Sequence, residues 1–215
     1  MRIDLWSDIA CPWCWLGKHH LEEALRRLGL EDAVRVEHHA YELRPQQGAT
    51  ALARPYLERK LGGAERLAAA HARLELMGRA VGIEYRFADA KLANTFDAHR
   101  LVKLANERGV GGRALERLMR AYHGEGADVA SPHALRSLSA DIGLPAAEVE
   151  DVLSSQRFAQ DVRSDEMRAQ ELGISGVPFF VLGGRHGLSG AQPVEAFVAA
   201  LRKAQELETA SPGAA

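Results

Sequence analysis

The segment Ser7-Asp8-Ile9-Ala10-Cys11-Pro12-Trp13-Cys14 gathers both cysteines of this 215-residue chain into one C-x-x-C pair, at the point where the residue pattern changes period. Before it, Ile3 and Leu5 alternate with Arg2, Asp4 and Trp6, as in a strand with one apolar face. After it, Gly17, Leu21, Ala24, Leu25 and Leu28 recur at helical spacing. The pair therefore falls on the first turn of a helix. Unpaired backbone N–H groups and the positive end of the helix dipole favour a thiolate there, and the thiolate is the species that attacks a disulfide. Cys11 is the outer sulfur and the candidate nucleophile. Cys14, three residues on and on the same helix face, is placed to resolve a mixed disulfide by attacking Cys11.

Other uses of two cysteines fit the pattern less well. Cysteines that merely pack in a core rarely fall at this spacing on a strand-to-helix turn. A zinc site can use C-x-x-C, but a structural site needs two further ligands and the chain has no other cysteine. His19 and His20 lie further along the helix and, at about 100° per residue, on other sides of it from Cys14; no metal site is expected. A permanent structural disulfide suits a secreted protein, whereas the sequence starts Met1-Arg2-Ile3-Asp4 without a charged-then-apolar leader. The expectation is a cytoplasmic protein in which the dithiol cycles.

With 47% hydrophobic and 26% charged residues the chain has ample material for a core. A net charge of -2 creates no field that would draw in nucleic acid, and no apolar run approaches the length of a membrane span. Neither nucleic acid nor membrane is an expected partner. Val34, Val36, His38 and Ala40 alternate with Arg35, Glu37, His39 and Tyr41 as a second strand. Because His38 and His39 are adjacent on it, they point to opposite faces and do not form a chelating pair. From there the period is 3.6 for over a hundred residues, with apolar stripes at Leu67, Ala70, Leu74, Met77 and Val81, at Ala98, Leu101, Leu104 and Ala105, and at Leu115, Leu118, Met119 and Tyr122. Ser131-Pro132 opens a further helix, Leu144-Pro145 another, and one more runs from near Gln156 to Leu172, ending at Gly173. Strand character returns at Phe179-Phe180-Val181-Leu182, with Arg185 to Ser189 as a hairpin partner and a last helix from Pro193. The element order β-α-β, helical block, β-β-α predicts an α/β fold interrupted by an all-α insertion.

Four segments carry a family resemblance: Cys11-Pro12-Trp13-Cys14, Asn94-Thr95-Phe96-Asp97-Ala98-His99-Arg100-Leu101, Gly176-Val177-Pro178-Phe179-Phe180 and Ser189-Gly190-Ala191-Gln192-Pro193. On these the chain resembles, over nearly its whole length, the thioredoxin superfamily, in its DsbA-like branch and FrnE-type subgroup of dithiol oxidoreductases. The resemblance implies a thioredoxin-like domain made of residues 1–45 and 161–207 and a helical insertion domain over 46–160, while Glu208 to Ala215, small and polar without apolar periodicity, reads as a flexible tail. The resemblance also implies that Pro178 is a cis-proline lying against the dithiol, with Val177 touching the nucleophilic sulfur and the bound substrate. Pro12 and Trp13, between the cysteines, are candidate substrate contacts, while Trp15 is expected to pack.

Asn94 and His99 fit two descriptions, facing the dithiol cleft or serving the helix as cap and packed side chain, and they are not taken as catalytic. Asp8 would raise the thiol pKa if close to it, and would do nothing as a solvated loop acid. The expected activity is cytoplasmic thiol–disulfide exchange with protein or small-molecule thiols and disulfides, without metal or organic cofactor, and with glutathione as a candidate co-substrate. The rival readings are a glutathione-dependent transferase or isomerase of the kappa or 2-hydroxychromene-2-carboxylate isomerase type, and a non-catalytic chaperone-like binding module.

Overall fold

The computed structural model describes residues 1–210; residues 211–215, within the expected tail, lie outside the described residues. Four strands, β1 (Arg2–Ser7), β2 (Arg35–Ala40), β5 (Phe179–Leu182) and β6 (His186–Ser189), form one sheet in the order β2-β1-β5-β6. β1 runs parallel to β2, from Arg2 beside Arg35 to Ser7 beside Ala40, and antiparallel to β5, with Leu5 beside Phe180. The parallel pair is joined through helix α1 (Pro12–Leu28), as a parallel connection requires. β5 and β6 form a hairpin whose turn is closed by Arg185 N–H donating to Leu182 C=O at 3.2 Å. Its central residues, Gly183 and Gly184, have φ of 57° and 69°, which glycine adopts without steric cost.

One face of the sheet is covered by α1 and the last helix, α9 (Val194–Ala210), which is helical through the start of the expected tail. Ile3 and Leu5 of β1, Phe180 and Leu182 of β5, Leu21 and Leu25 of α1 and Phe197 and Leu201 of α9 close that core. The Phe180 and Phe197 rings meet edge to face at 4.8 Å. The strand with one apolar face read from the sequence is in fact buried on both sides: Asp4 and Trp6 are 8% and 3% exposed. The second face is covered by α8 (Ala159–Glu171), where Trp6 Nε1 donates to the Asp165 carbonyl at 3.0 Å and its ring stacks on His39 at 4.4 Å. Polar residues there are accommodated by one network: His39 bridges Asp4 and Asp165, each at 2.8 Å. His38, on the opposite side of the strand, is buried, as the alternation requires.

Between β2 and β5 lies the inserted all-α region. Its helices are α2 (Arg54–Leu61), α3 (Ala64–Arg79), α4 (Phe96–Glu107), α5 (Gly111–Gly124), α6 (Pro132–Ile142) and α7 (Ala146–Ser154), followed by α8. A two-residue ladder pairs β3 (Ala51–Leu52) with β4 (Lys91–Leu92). Ser131 caps α6, its hydroxyl accepting from Ala134 N–H at 3.5 Å, and Pro132 occupies the first turn. α8 starts at Ala159 rather than near Gln156 because Phe158 stands at φ 62°, outside the helical region. α3 ends at Arg79, so Val81 falls beyond the helix whose stripe it extends.

α1 belongs to both halves of the molecule. Its later turns pack on the sheet, while Cys14, Trp15 and Leu16 enter a second core with Leu101 and Leu104 of α4, Leu115 and Leu118 of α5, and Leu135 of α6. It approaches the loop before β5 at Gly17, where an added Cβ would stand 3.0 Å from Pro178 Cγ and 3.3 Å from both Ala191 Cα and the tip of Phe180. Alanine there would gain about 1 kcal/mol of helix propensity, but a branched side chain has no room. Gly17→Val is therefore expected to destabilise the fold by about 2 kcal/mol through over-packing, measured as a lowered urea midpoint; a midpoint at or above that of the parent chain would contradict the close packing.

Candidate active site

Cys11 is the N-cap residue of α1, with φ -99° and ψ 110°, and Pro12 occupies the first turn, where a missing N–H costs nothing. Cys11 N–H donates to Asp8 C=O at 3.1 Å, and Cys11 C=O accepts from Cys14 N–H at 3.0 Å, so the strand-to-helix turn is held from both sides of the cysteine. Both cysteines are free thiols. Cys11 is 5% exposed and Cys14 fully buried, the order of accessibility that their positions on the turn predict.

The loop before β5 closes over Cys11. The Val177–Pro178 peptide bond is cis, and Cys11 Sγ lies 3.7 Å from Val177 O, a sulfur hydrogen bond. Pro178 C=O accepts from Gly190 N–H at 2.8 Å, which fastens the loop to the segment after β6. Trp13 is half-buried beside the pair with the Arg73 guanidinium 5.8 Å from its ring centroid, and Trp15 is buried against Tyr85, at 5.4 Å edge to face. The structure thus brings Cys11, Pro12, Trp13, Cys14, Val177 and Pro178 to one place, although the first four and the last two come from opposite ends of the sequence.

Asp8 is not a solvated loop acid. It is 1% exposed, and its carboxylate accepts from Ala10 N–H at 3.0 Å and Leu43 N–H at 2.8 Å, with His99 Nε2 at 3.5 Å. Burial raises its pKa, but the neighbouring His99 and the two amides outweigh burial and hold it below the ordinary carboxylate value. Burial first, then the hydrogen bond and charge of Cys11, push the Cys14 thiol well above the usual range, while Asp8 acts both ways, its backbone hydrogen bond lowering the pKa and its charge raising it. His99 accordingly faces the loop beneath the dithiol. Asn94 serves the helix entry, its Oδ1 accepting from Phe96 N–H at 2.9 Å, while Thr95 is the N-cap residue without a side-chain cap bond. His19 and His20 turn elsewhere, to Glu116 at 3.1 Å and to the Gln192 carbonyl at 2.7 Å. Among the described residues no group of three or more His, Cys, Asp or Glu side chains could hold a metal ion.

Two residues of the site carry no motif in the sequence. Tyr85 donates its hydroxyl to Pro12 C=O at 2.7 Å, and burial together with both thiols pushes its pKa up. His123 of α5 is 7% exposed, its Nε2 has no hydrogen-bond partner, and it lines a cavity with Cys11. Only its place in the apolar stripe of α5, next to Tyr122, could have pointed to it. That cavity, about 240 Å³, opens beside Cys11, Pro12 and Trp13 and is walled by Leu57, Leu67, Leu74, Phe87 and Leu92 of the inserted region.

A helix that begins on a C-x-x-C pair, packed on a mixed four-stranded sheet and faced by an X-Pro loop, defines a thioredoxin-like fold with a thiol site at the α1 N-terminus. The chain belongs to the DSBA-like thioredoxin domain family, which it matches over residues 2–202, and it is a thiol-based redox enzyme of the disulfide oxidoreductase class. It is 38% identical to a probable DsbA oxidoreductase from Streptomyces coelicolor, with a TM-score of 0.93 covering 100% of this chain and 93% of that one. It shares its fold with a 2-hydroxychromene-2-carboxylate isomerase, at 17% identity and TM-score 0.71 over 99% of this chain and 100% of the other. It shares it also with the cytosolic disulfide reductase DsbM of Pseudomonas aeruginosa, at 22% identity and TM-score 0.70 over 96% and 100%.

Two buried histidines give the fold an acid limit. Burial lowers His123 to about 4 and His38 to about 3, with Lys18 also acting on His38. Unfolded histidine titrates near 6.5, so the unfolded chain binds more protons below that pH and stability rises with pH. This contribution is complete above about 6.5 and is lost as pH falls through the folded values. Urea midpoints are expected to decline from pH 7 to pH 4, and less steeply in His123→Phe; an equal slope in the variant would count against neutral burial of His123.

Proposed function

We propose that the chain catalyses thiol–disulfide exchange through Cys11 and Cys14, as a cytoplasmic member of the FrnE-type subgroup, with its helical insertion over residues 46–160 acting as the wall that receives the substrate. Cys11 is the nucleophile and Cys14 the resolving thiol; Pro12, Trp13, Val177 and Pro178 contact the substrate. The observation that carries this reading is the asymmetry of the pair. Cys11 caps the helix at the cavity mouth, 3.7 Å from Val177 O, while Cys14 is sealed in the core with a thiol that burial holds protonated. A sulfur that is reachable and one that is protected until a mixed disulfide forms next to it are what a two-step exchange needs. Substrates are thiols and disulfides, and glutathione is a candidate small partner, as DsbM, of the same fold, has a structure with GSH. No helix among the described residues is long and apolar enough to cross a membrane.

The glutathione-dependent isomerase reading rests on the fold shared with the 2-hydroxychromene-2-carboxylate isomerase. Against it stand the two cysteines, since activation of a glutathione sulfur leaves Cys14 without a task.

The cysteines separate these readings. Cys11→Ser should abolish the acceleration that the parent chain gives to the reduction of insulin by dithiothreitol, and Cys14→Ser, reduced and freed of dithiothreitol, should attack insulin once and accumulate as a mixed disulfide visible by mass spectrometry. Iodoacetamide at neutral pH should alkylate Cys11 before Cys14 in the folded chain. Faster labelling of Cys14 would reverse the assignment, and glutathione conjugation surviving in Cys14→Ser without any insulin reduction by the parent would favour the isomerase.

A further inference from the structure

The cavity beside Cys11 has a one-sided charge. Three cations line it, Arg44, Lys60 and Lys91, and among the described residues no aspartate or glutamate does. Among the described residues none of the three has an ion-pair partner, although cations elsewhere on the surface do, such as Arg117 with Glu125 and Asp141 or Arg163 with Glu42 and Glu166. Lys91 spends its ammonium on the Gly126 carbonyl. Arg44 and Lys60 share one aromatic side chain: the Arg44 guanidinium lies 5.6 Å and the Lys60 ammonium 6.0 Å from the Tyr56 ring centroid; Arg44 also neighbours the Tyr122 hydroxyl, whose pKa its charge lowers, and its buried Nε has no hydrogen-bond acceptor. The N-terminus of α1, at Cys11, Pro12 and Trp13, adds its positive potential from the opposite wall.

Apart from these cations and the polar groups of His71, Tyr122 and His123 the wall is apolar, and its volume of about 240 Å³ falls below the ~300–1,000 Å³ of a site for a drug-sized ligand. It admits one side-chain-sized apolar group next to a sulfur. We propose that this cavity selects small disulfides in which an apolar group next to the S–S bond carries a carboxylate, with Arg44 and Lys60 meeting the carboxylate. This rests on the reading of Cys11 as nucleophile and adds the class of substrate it attacks. An anion entering this mouth finds donors that have no carboxylate partner to give up, so its desolvation is offset.

In the reaction, the Cys11 thiolate attacks one sulfur of the disulfide RS–SR, forming Cys11–S–S–R and releasing RS⁻. Cys14, its proton passing to solvent, then attacks the Cys11 sulfur, forming the Cys11–Cys14 disulfide and releasing the second RS⁻. The dithiol is oxidised by two electrons and the small disulfide is reduced to two thiols.

Two aromatic disulfides of similar size test the proposal: 5,5′-dithiobis(2-nitrobenzoate), with a carboxylate on each ring, and neutral 4,4′-dithiodipyridine. Their rates with the reduced chain, each divided by the rate with free dithiothreitol to remove intrinsic reactivity, give a preference ratio. The ratio for the parent chain is expected to favour the anionic probe by about tenfold and to fall in ~0.5 M salt. It should fall at least about fivefold in Arg44→Gln, and by a smaller factor in Lys60→Met, an exposed position whose replacement leaves the core untouched. A parent ratio near one, or a ratio that neither variant nor salt lowers, overturns the selection of carboxylates while leaving Cys11 as nucleophile. If neither probe reacts faster than with an unfolded-chain thiol, the nucleophile assignment falls, and this inference with it.

Discussion

The contact on which the site depends is the approach of helix α1 to the loop before β5, backbone against ring, at Gly17 and Pro178. Without a side chain at position 17, the helix lies close enough for its first turn to reach Val177, and Cys11 Sγ finds the Val177 carbonyl. Ala191 and Phe180 close the same gap, so the loop is wedged between a helix, a strand and the segment that follows the hairpin. The dithiol is thereby positioned by packing at three fronts. This is the rigid support that a reactive side chain on a turn needs.

The same helix joins two cores. Its later turns contribute Leu21 and Leu25 to the sheet core, and its first turns contribute Cys14, Trp15 and Leu16 to the core of the inserted helices. Moving the inserted region relative to the sheet would therefore disturb the helix that carries the cysteines. Polar groups held around the turn reinforce this. Glu116 of α5 accepts from Lys18 at 3.0 Å and from Trp15 Nε1 at 3.1 Å, and burial notwithstanding, the bonds from His19 and Lys18 hold its carboxyl far below the usual range. Asp8 does the same at the other end of the turn, held by the amides of Ala10 and Leu43. Carboxylates that are buried, as Asp8 is, or half-buried, as Glu116 is, and engaged by several donors favour one arrangement of the chain over near alternatives.

The electrostatics of the two thiols follow from this packing. Cys11 has an opening, while Cys14 is buried beside the Cys11 sulfur, so a proton on Cys14 is hard to remove until its neighbour has become part of a disulfide. Tyr85 and His123 belong to the walls. Both come from the inserted region, which therefore shapes the dielectric around the sulfurs as well as the cavity in front of them.

The sequence by itself determined the elements that depend on local rules. The period change around Cys11, the Ser131-Pro132 helix start, the Gly183-Gly184 turn and the β-α-β … β-β-α order are all written in neighbouring residues, and each is found in the fold. Family resemblance linked Pro178 to the cysteines; no local signal did. What only tertiary structure decided were effects of burial that no periodicity encodes. β1 hides Asp4 and Trp6 because α8, distant in sequence, lies over them. α2 has no buried residue and so no apolar stripe to read. Asp8 became a buried anion because the Leu43 amide, brought by the chain after β2, reaches it. Arg44, Lys60 and Lys91 read as ordinary surface charges until folding set them around one apolar cavity without a carboxylate. Hydrophobic spacing records which face of an element is covered, but the partners of a polar side chain are fixed only when segments far apart in the chain pack together.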